Sequence, residues 1–154
     1  MNPADEAAFA ATDPAFEARI RDSFARQSFM RTLGAEIVTV APGRCDIRVP
    51  WKDGLGQQHG YFHAGVLGSI ADSAAGYAAY TLMDAADSVL SIEYKINLLR
   101  PANGDAVIAR AKVIRSGRLV TACTAEVFVE RDGEEVHCAA AQLTMIRLEG
   151  KSDG

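Results

Sequence analysis

The chain has 154 residues, 49% of them hydrophobic and 23% charged, with a net charge of −4. A single domain with a sizeable core is expected, since a chain this long buries roughly two-thirds of the surface its unfolded form exposes. The acidic balance argues against a nucleic-acid partner, which would call for a basic face, and no stretch reaches the roughly 18 apolar residues of a membrane helix.

Residues 1–13 are alanine-rich and acidic and read as a flexible lead-in. Asp13-Pro14 reads as a helix start, an N-cap acceptor followed by proline at the first helical position. Phe16, Ile20 and Phe24 then recur on one face, and the helix is expected to end near Leu33-Gly34. Ala35–Val40 and Cys45–Val49 are β-branched or alternating, joined by the turn Ala41-Pro42-Gly43-Arg44. Pro50–Gln58 is a polar, glycine-bearing loop, and from about Ala64 to Met83 the pattern turns helical. Four strands follow: Ser88–Leu99, Ala106–Arg115, Arg118–Glu130 and Glu135–Arg147, with turn residues between them. One domain over residues 14–148 and a loose tail over 149–154 complete the reading.

The order is therefore α-β-β-α-β-β-β-β, an α+β chain. A long helix after the first hairpin, followed by a four-strand meander, implies a mostly antiparallel sheet with the helix on one face. An antiparallel sheet wrapped around one long central helix, with an N-terminal helix added, is the hotdog fold. The sheet covers the helix on one side only, so something else must cover the other.

That helix is apolar around most of its circumference. Val66, Ile70, Ala74, Tyr77 and Ala78 form one stripe and Leu67, Ala71, Ala75, Ala79 and Leu82 the next, together wider than the roughly 100° of an ordinary amphipathic helix. Gly68 and Gly76 each cost the helix roughly 1 kcal/mol relative to alanine, which points to tight packing or a ligand passing close by. Asp72 interrupts the apolar surface. Two roles suit it: a solvated acid on a polar strip with Ser69 and Ser73, or a carboxylate at a pocket wall acting as base or nucleophile.

The helix start supplies a second feature. Unpaired N–H groups after His63 carry the positive end of the helix dipole and suit an oxyanion or a phosphate. Asp72 lies eight residues beyond Ala64, about 12 Å along the axis. One reacting carbonyl cannot touch both, so a shared substrate requires the acid from one helix and the N-terminus from another. A two-fold dimer with two composite sites meets that need and covers the open side of the helix.

Gln57-x-His59-Gly60-x-x-His63-Ala64-Gly65, then Ala71-Asp72-Ser73-Ala74 and Gly76-Tyr77-Ala78, resemble the signature of PaaI-type hotdog acyl-CoA thioesterases. Glu93–Ala102 and the turn Arg115-Ser116-Gly117-Arg118 extend the resemblance over about residues 30–147. It implies hydrolysis of an acyl-CoA to a free acid and CoA, with medium-to-long-chain or aryl acyl groups in range and the local motif leaning to straight chains. Asp72 matches the general base or nucleophile. The N–H of Ala64, with that of Gly65, matches the donor that polarises the thioester carbonyl. Gln57 matches a residue that positions carbonyl or water, and Ser91 a hydroxyl that holds the attacking water. The chain departs from the pattern in having His-Ala-Gly where the family has His-Gly-Gly, and Gln57 where asparagine is commoner. Tyr61 and Phe62 add bulk at the entrance.

His63 braces the helix start by hydrogen bonding or acts in catalysis. With His59 it makes no metal pair, since no third ligand stands nearby. For the phosphates of CoA the candidates are Arg100, Arg115 and Arg118, with Lys95, against the alternative of solvated strand-edge cations. No metal or redox cofactor is implied; CoA is part of the substrate. Cys45, Cys123 and Cys138 form no disulfide or metal spacing and read as buried thiols of a cytoplasmic protein. The acids of MNPADEAAFAATDP speak against a signal peptide. The expected assembly is a homodimer, pairing into a dimer of dimers. Two rival readings remain: a hotdog enoyl-CoA hydratase or dehydratase, and a non-catalytic acyl-CoA-binding module.

Overall fold

The computed structural model describes residues 9–153. Two short helices, α1 (Phe16–Arg26) and α2 (Ser28–Leu33), precede the hairpin β1 (Glu36–Ala41) and β2 (Arg44–Pro50). The long helix α3 (Ala64–Tyr80) follows, then β3 (Ser88–Leu98), β4 (Ala106–Ser116), β5 (Val120–Arg131) and β6 (Glu134–Leu148). All six strands form one sheet in the order β1-β2-β4-β5-β6-β3, and every neighbouring pair is antiparallel. The sheet wraps α3, as the hotdog reading requires. The expected four-strand meander is corrected in one respect. β3 does not pair with β4; it crosses to the far edge and pairs with β6, while β2 takes the place beside β4.

Alternation explains which face turns inward. On β5, Thr121, Cys123, Ala125, Val127 and Val129 are buried while their neighbours are not, the period-2 pattern of a strand with one face on the core. Opposite them, Leu67, Ile70, Ala71, Ala74, Ala75 and Ala78 of α3 are buried. The alanines let helix and sheet approach closely. Beyond its exposed start, α3 keeps one half-covered stripe, Ser69, Asp72, Ser73 and Gly76. The polar strip is thus the interruption in an otherwise enclosed helix.

The N-terminal helix corrects two expectations. It is broken: Gln27 is extended (φ −72°, ψ 103°), separating α1 from α2. No proline or glycine marks the break; the Gln27 side chain turns instead onto Tyr77 of α3. Its start also lies later. Asp13 accepts from the Ala15 N–H at 2.9 Å, one turn outside a helix that begins at Phe16 without a side-chain cap. Gly34 ends α2 in the left-handed conformation (φ 71°), where a glycine avoids the Cβ penalty.

α1 and Gln27 pack on the C-terminal part of α3, so the open side is not left wholly to a partner. Phe24 packs edge-on against Tyr77 with ring centres 5.9 Å apart. Arg19 donates to the Met83 and Asp84 carbonyls at 2.8 and 2.9 Å, and its guanidinium lies over the Tyr80 ring. A cation just past the end of α3 satisfies acceptors and complements the helix dipole. Thr81 donates to the Ala78 carbonyl and accepts from the Gly43 N–H, tying the β1–β2 turn to the same end.

Described residues near both ends make contacts with the rest of the chain. Residues 1–8 of the expected flexible lead-in, and Gly154 of the tail, lie outside the described residues. Phe9 packs on the core over Gly43, and Asp13 pairs with Arg19 at 3.0 Å. In the tail, the Gly150 N–H donates to Asp87, and Arg26 binds both the carbonyl and the carboxylate of Asp153 at 2.7 and 3.1 Å.

The three cysteines are buried and free. Burial pushes Cys45 and Cys123 up to about 12 and Cys138 up to about 11, the charge of Asp46 adding to the effect at Cys45. Such thiols carry almost no thiolate near neutrality and present no nucleophile. A thiol reagent at pH 8 is therefore expected to find no fast-reacting cysteine in the native protein and all three after unfolding; one rapid native equivalent would contradict this packing.

Candidate active site

Two clefts flank the uncovered stripe of α3, one toward each end. The first, of about 390 Å³, lies between the second half of α3, the start of β3 and the end of α1. Asp72 and Ser91 face each other in it, with Ser91 Oγ donating to Asp72 Oδ1 at 2.6 Å. A hydrogen bond to a charged group contributes about 1.5–3 kcal/mol, enough to fix the carboxylate while leaving Oδ2 free. Ser91 Oγ also lies 3.4 Å from the Met145 sulfur. A β-bulge between Ser91 and Glu93 sets the strand here, and bulges re-aim side chains beside them.

The second cleft, of about 540 Å³, surrounds the start of α3 and is lined by Gln57, Tyr61, Phe62, Ala64, Leu98 and Arg100 among others. Its floor is built by loop hydrogen bonds: Phe62 N–H to the Ala102 carbonyl at 2.9 Å and His63 N–H to the Leu55 carbonyl at 2.8 Å. Gln57 Oε1 accepts from the His59 N–H, which leaves the Gln57 amide N–H₂ as the group offered to the cleft. His63 caps α3, its Nδ1 accepting from the Gly65 N–H at 2.8 Å. This bond settles the helix start. The Val66 N–H is taken by the His63 carbonyl and that of Gly65 by the imidazole. Among the described residues the Ala64 N–H is the first-turn donor left free. Gly65 is thus corrected as an oxyanion donor, because its hydrogen is already committed. His63 acts on the helix as a brace, one of its two expected roles.

Within one chain the clefts stay apart. Asp72 with Ser91 occupies one and Gln57 with Ala64 the other, separated by the about 12 Å of helix between them. The phosphate candidates divide as well. Arg100 lines the Gln57 cleft and donates from Nη1 to the His137 carbonyl at 2.9 Å. Arg115 and Arg118 line neither cleft; they sit at the β4–β5 hairpin, where Arg118 pairs with Glu149 at 3.3 Å. That position follows from the late start of β5, at Val120 and not at the expected Arg118, which leaves Gly117–Leu119 as the turn.

Tyr77, Gln27 and Ser23 were not singled out as site residues by sequence, yet they line the Asp72 cleft. Gln27 Nε2 donates to the Tyr77 hydroxyl at 2.7 Å, and Ser23 Oγ lies 3.1 Å from it. The sequence signal was slight: Tyr77 falls one turn beyond Ser73, and nothing local links it to α1.

β3 carries another feature of the site. It pairs with β6 on one side only, and on it Leu90, Tyr94 and Leu98 are 57%, 48% and 55% exposed. Tyr94 lies over Gly68 of α3, its hydroxyl 3.4 Å from where a Cβ would stand.

Comparison with known proteins agrees with the fold. The Thioesterase superfamily profile matches residues 59–136, from His59 in the loop before α3 into β6. A thioesterase family protein of Silicibacter pomeroyi has a crystal structure that superposes with a TM-score of 0.85 at 45% identity, covering 86% of this chain and 98% of that one. The PaaI protein of the E. coli phenylacetic acid degradation operon shares the fold, with a TM-score of 0.80 at 19% identity over 89% of this chain and 96% of that one. A Listeria monocytogenes protein named 1,4-dihydroxy-2-naphthoyl-CoA hydrolase is 30% identical over 87 residues, 56% of this chain and 71% of its own. With a family profile spanning half its length and a 45%-identical structural counterpart, the chain belongs to the Thioesterase superfamily and is a hotdog-fold thioester hydrolase.

Proposed function

We propose that the protein is a homodimeric acyl-CoA thioesterase whose two active sites each combine the Asp72–Ser91 cleft of one subunit with the Gln57–Ala64 cleft of the other. The carrying observation is the 2.6 Å bond from Ser91 to Asp72, in a cleft that lacks any oxyanion donor of its own helix start. The free edge of β3, with half-exposed Leu90, Tyr94 and Leu98, supports pairing with a second copy of the chain. Long, apolar sheet edges seldom stay open to solvent. The Listeria relative, named for a CoA thioester, supports CoA as the thiol.

In this mechanism Asp72 is the general base. Ser91 spends its hydrogen on Oδ1 and keeps lone pairs for a water, which Oδ2 deprotonates. The water oxygen bonds to the thioester carbon, and its proton passes to Asp72. Negative charge builds on the former carbonyl oxygen, where Ala64 N–H of the partner subunit and the amide N–H₂ of the partner's Gln57 donate to it. Donors already in place cost no reorganisation as the charge develops. Collapse breaks the C–S bond and releases the acid, and Asp72 returns the proton to the CoA sulfur. Arg100, beside the donor cleft, is the cation placed to meet a CoA phosphate.

The test is release of CoA thiol across a panel of straight-chain and aryl acyl-CoAs. Because the protein's own cysteines are buried, the thiol signal has a flat background. Turnover of at least one member is expected. Tight acyl-CoA binding with no turnover of any member would instead favour a binding module, and consumption of an enoyl-CoA without thiol release would favour a hydratase.

A further inference from the structure

Gln57 sits on a small hairpin, residues 56–62, closed by the Gly56–Phe62 bridge. Inside it the Gln57 N–H donates to the Tyr61 carbonyl at 2.9 Å, and the Gly60 N–H to the Gln57 carbonyl at 3.0 Å. The Gln57 side chain bonds back to the His59 N–H of the same turn. The direction in which its amide points therefore follows the direction of the whole turn. A two-stranded hairpin is marginal by itself in water, so the aim of Gln57 depends on what the hairpin leans against.

One arm leads straight into the core. Phe62 is 3% exposed, and its N–H is bonded to the Ala102 carbonyl. The other arm is held at its root, where the Leu55 carbonyl accepts from His63. Beyond that root, at Gly56, it meets a single large side chain. Trp51 directly follows β2, and its N–H donates to the Asp105 carbonyl at 2.7 Å, which carries the β2–β4 pairing one residue further. Its indole meets Phe62 edge-on with ring centres 4.8 Å apart, a favoured aromatic geometry. The same indole closes on Gly56. A Cβ built there would stand 2.6 Å from Trp51 Cη2 and 3.2 Å from Cζ2, inside the about 3.5 Å of packed carbons. Gly56 does not adopt a positive φ, so its backbone would accept alanine; the indole is what excludes it. Trp51 lines neither cleft and lies outside residues 59–136. Any part it plays in the reaction passes through the hairpin.

We propose that Trp51 is a positioning residue. Wedged between Gly56 and Phe62, it sets the Gln57 hairpin against the start of α3 and holds the Gln57 amide where the oxyanion develops. The proposal rests on the assignment of Gln57 as an oxyanion donor. A donor that acts in the transition state is felt in kcat more than in KM, and a misplacement of about 1 Å can cost about a hundredfold.

The experiment measures kcat and KM by thiol release with the fastest substrate of the acyl-CoA panel. Trp51→Ala is expected to lower kcat at least about tenfold while KM stays within about threefold of wild type. On the residual turnover of Gln57→Ala, the same substitution is expected to change kcat by less than about threefold, because the group it positions is already gone. Two smaller changes test the wedge itself. Gly56→Ala drives a methyl group into the indole, and Trp51→Phe withdraws the outer ring. Each alone is expected to lower kcat. Together the methyl group fills the space the indole left, and kcat is expected to rise above both single variants. Trp51 is the single tryptophan, so its emission is expected to shift to longer wavelength in Gly56→Ala while the Tm changes little.

Wild-type kcat in Trp51→Ala, an undiminished loss in the Gln57→Ala background, or a double variant no faster than the better single variant would overturn the proposal. If Trp51→Ala does not fold, the Gly56→Ala and Trp51→Phe series decides alone. Gln57→Ala separates the two levels. If it is slow while Trp51→Ala is not, only the bracing role fails. If it turns over as fast as wild type, the donor assignment fails and the brace with it.

Discussion

Asp72→Asn is expected to lower turnover of every accepted acyl-CoA at least about a hundredfold, the lower end of what a positioned general base contributes. The substitution is nearly isosteric. The amide oxygen it introduces can still accept from Ser91, as Asp72 Oδ1 does at 2.6 Å, so the cleft keeps its shape. What vanishes is a group able to take a proton from water. Both kcat and kcat/KM should fall together, because the interaction lost is made in the transition state. The stripe bearing Asp72 is half-covered, so the fold and the melting temperature should change little. A control is built in: Ser91→Ala removes the hydroxyl that fixes the carboxylate but leaves the base, and its loss should be smaller. Equal turnover in wild type and Asp72→Asn, measured by thiol release, would remove the acid from the mechanism.

Mixing two inactive variants is expected to restore activity. Subunits carrying Asp72→Asn retain Gln57 and Ala64; subunits carrying Gln57→Ala retain Asp72 and Ser91. In a mixed dimer one composite site receives both defects and the other receives none. Random exchange of equal amounts makes half the dimers mixed, so recovery should approach about a quarter of wild-type turnover. The prediction follows from distance. Asp72 and Ala64 stand about 12 Å apart on one rigid helix, too far for one carbonyl to touch both. Co-refolding the variants and assaying thiol release reads the outcome. Activity that stays at the sum of the two parents, with exchange verified by mass, would place each site within a single chain.

Much of the fold was legible because its signals are local. Pro42-Gly43, Ser116-Gly117 and Asp132-Gly133 mark turns, and the strands between them alternate; observed strand ends fall within two residues of those expected. The position of β3 was not legible. Adjacency in sequence favours β3 beside β4, and only the passage of α3 beneath the sheet sends β3 to the far edge. The break at Gln27 had no local mark either, since its cause is the Tyr77 hydroxyl fifty positions away.

The site divides along the same line. Asp72 was legible as the single acid within an enclosed helix, and Ala64 as a residue at a helix start. Gly65 was misjudged because the His63 ring, a matter of side-chain conformation, claims its hydrogen at 2.8 Å. Arg115 and Arg118 were grouped with Arg100 as cations at turns, a chemistry that does not tell which turn faces a cleft. Ser23 and Gln27 are ordinary helix-surface types, and only the packing of α1 on α3 gives them a role.

The break between α1 and α2 has a further consequence. Arg26 and Gln27, at that break, roof the Asp72 cleft with Ser23 and Asp153, and all four lie outside residues 59–136, the part matched by the family profile. Asp72 and Ser91 belong to the matched core; these four lining residues belong to the two flanks. Exchanging either flank is expected to change the lining of this cleft while leaving the Asp72–Ser91 pair in place. The walls of one cleft are thus drawn from two separable parts of the chain, each able to vary without the other.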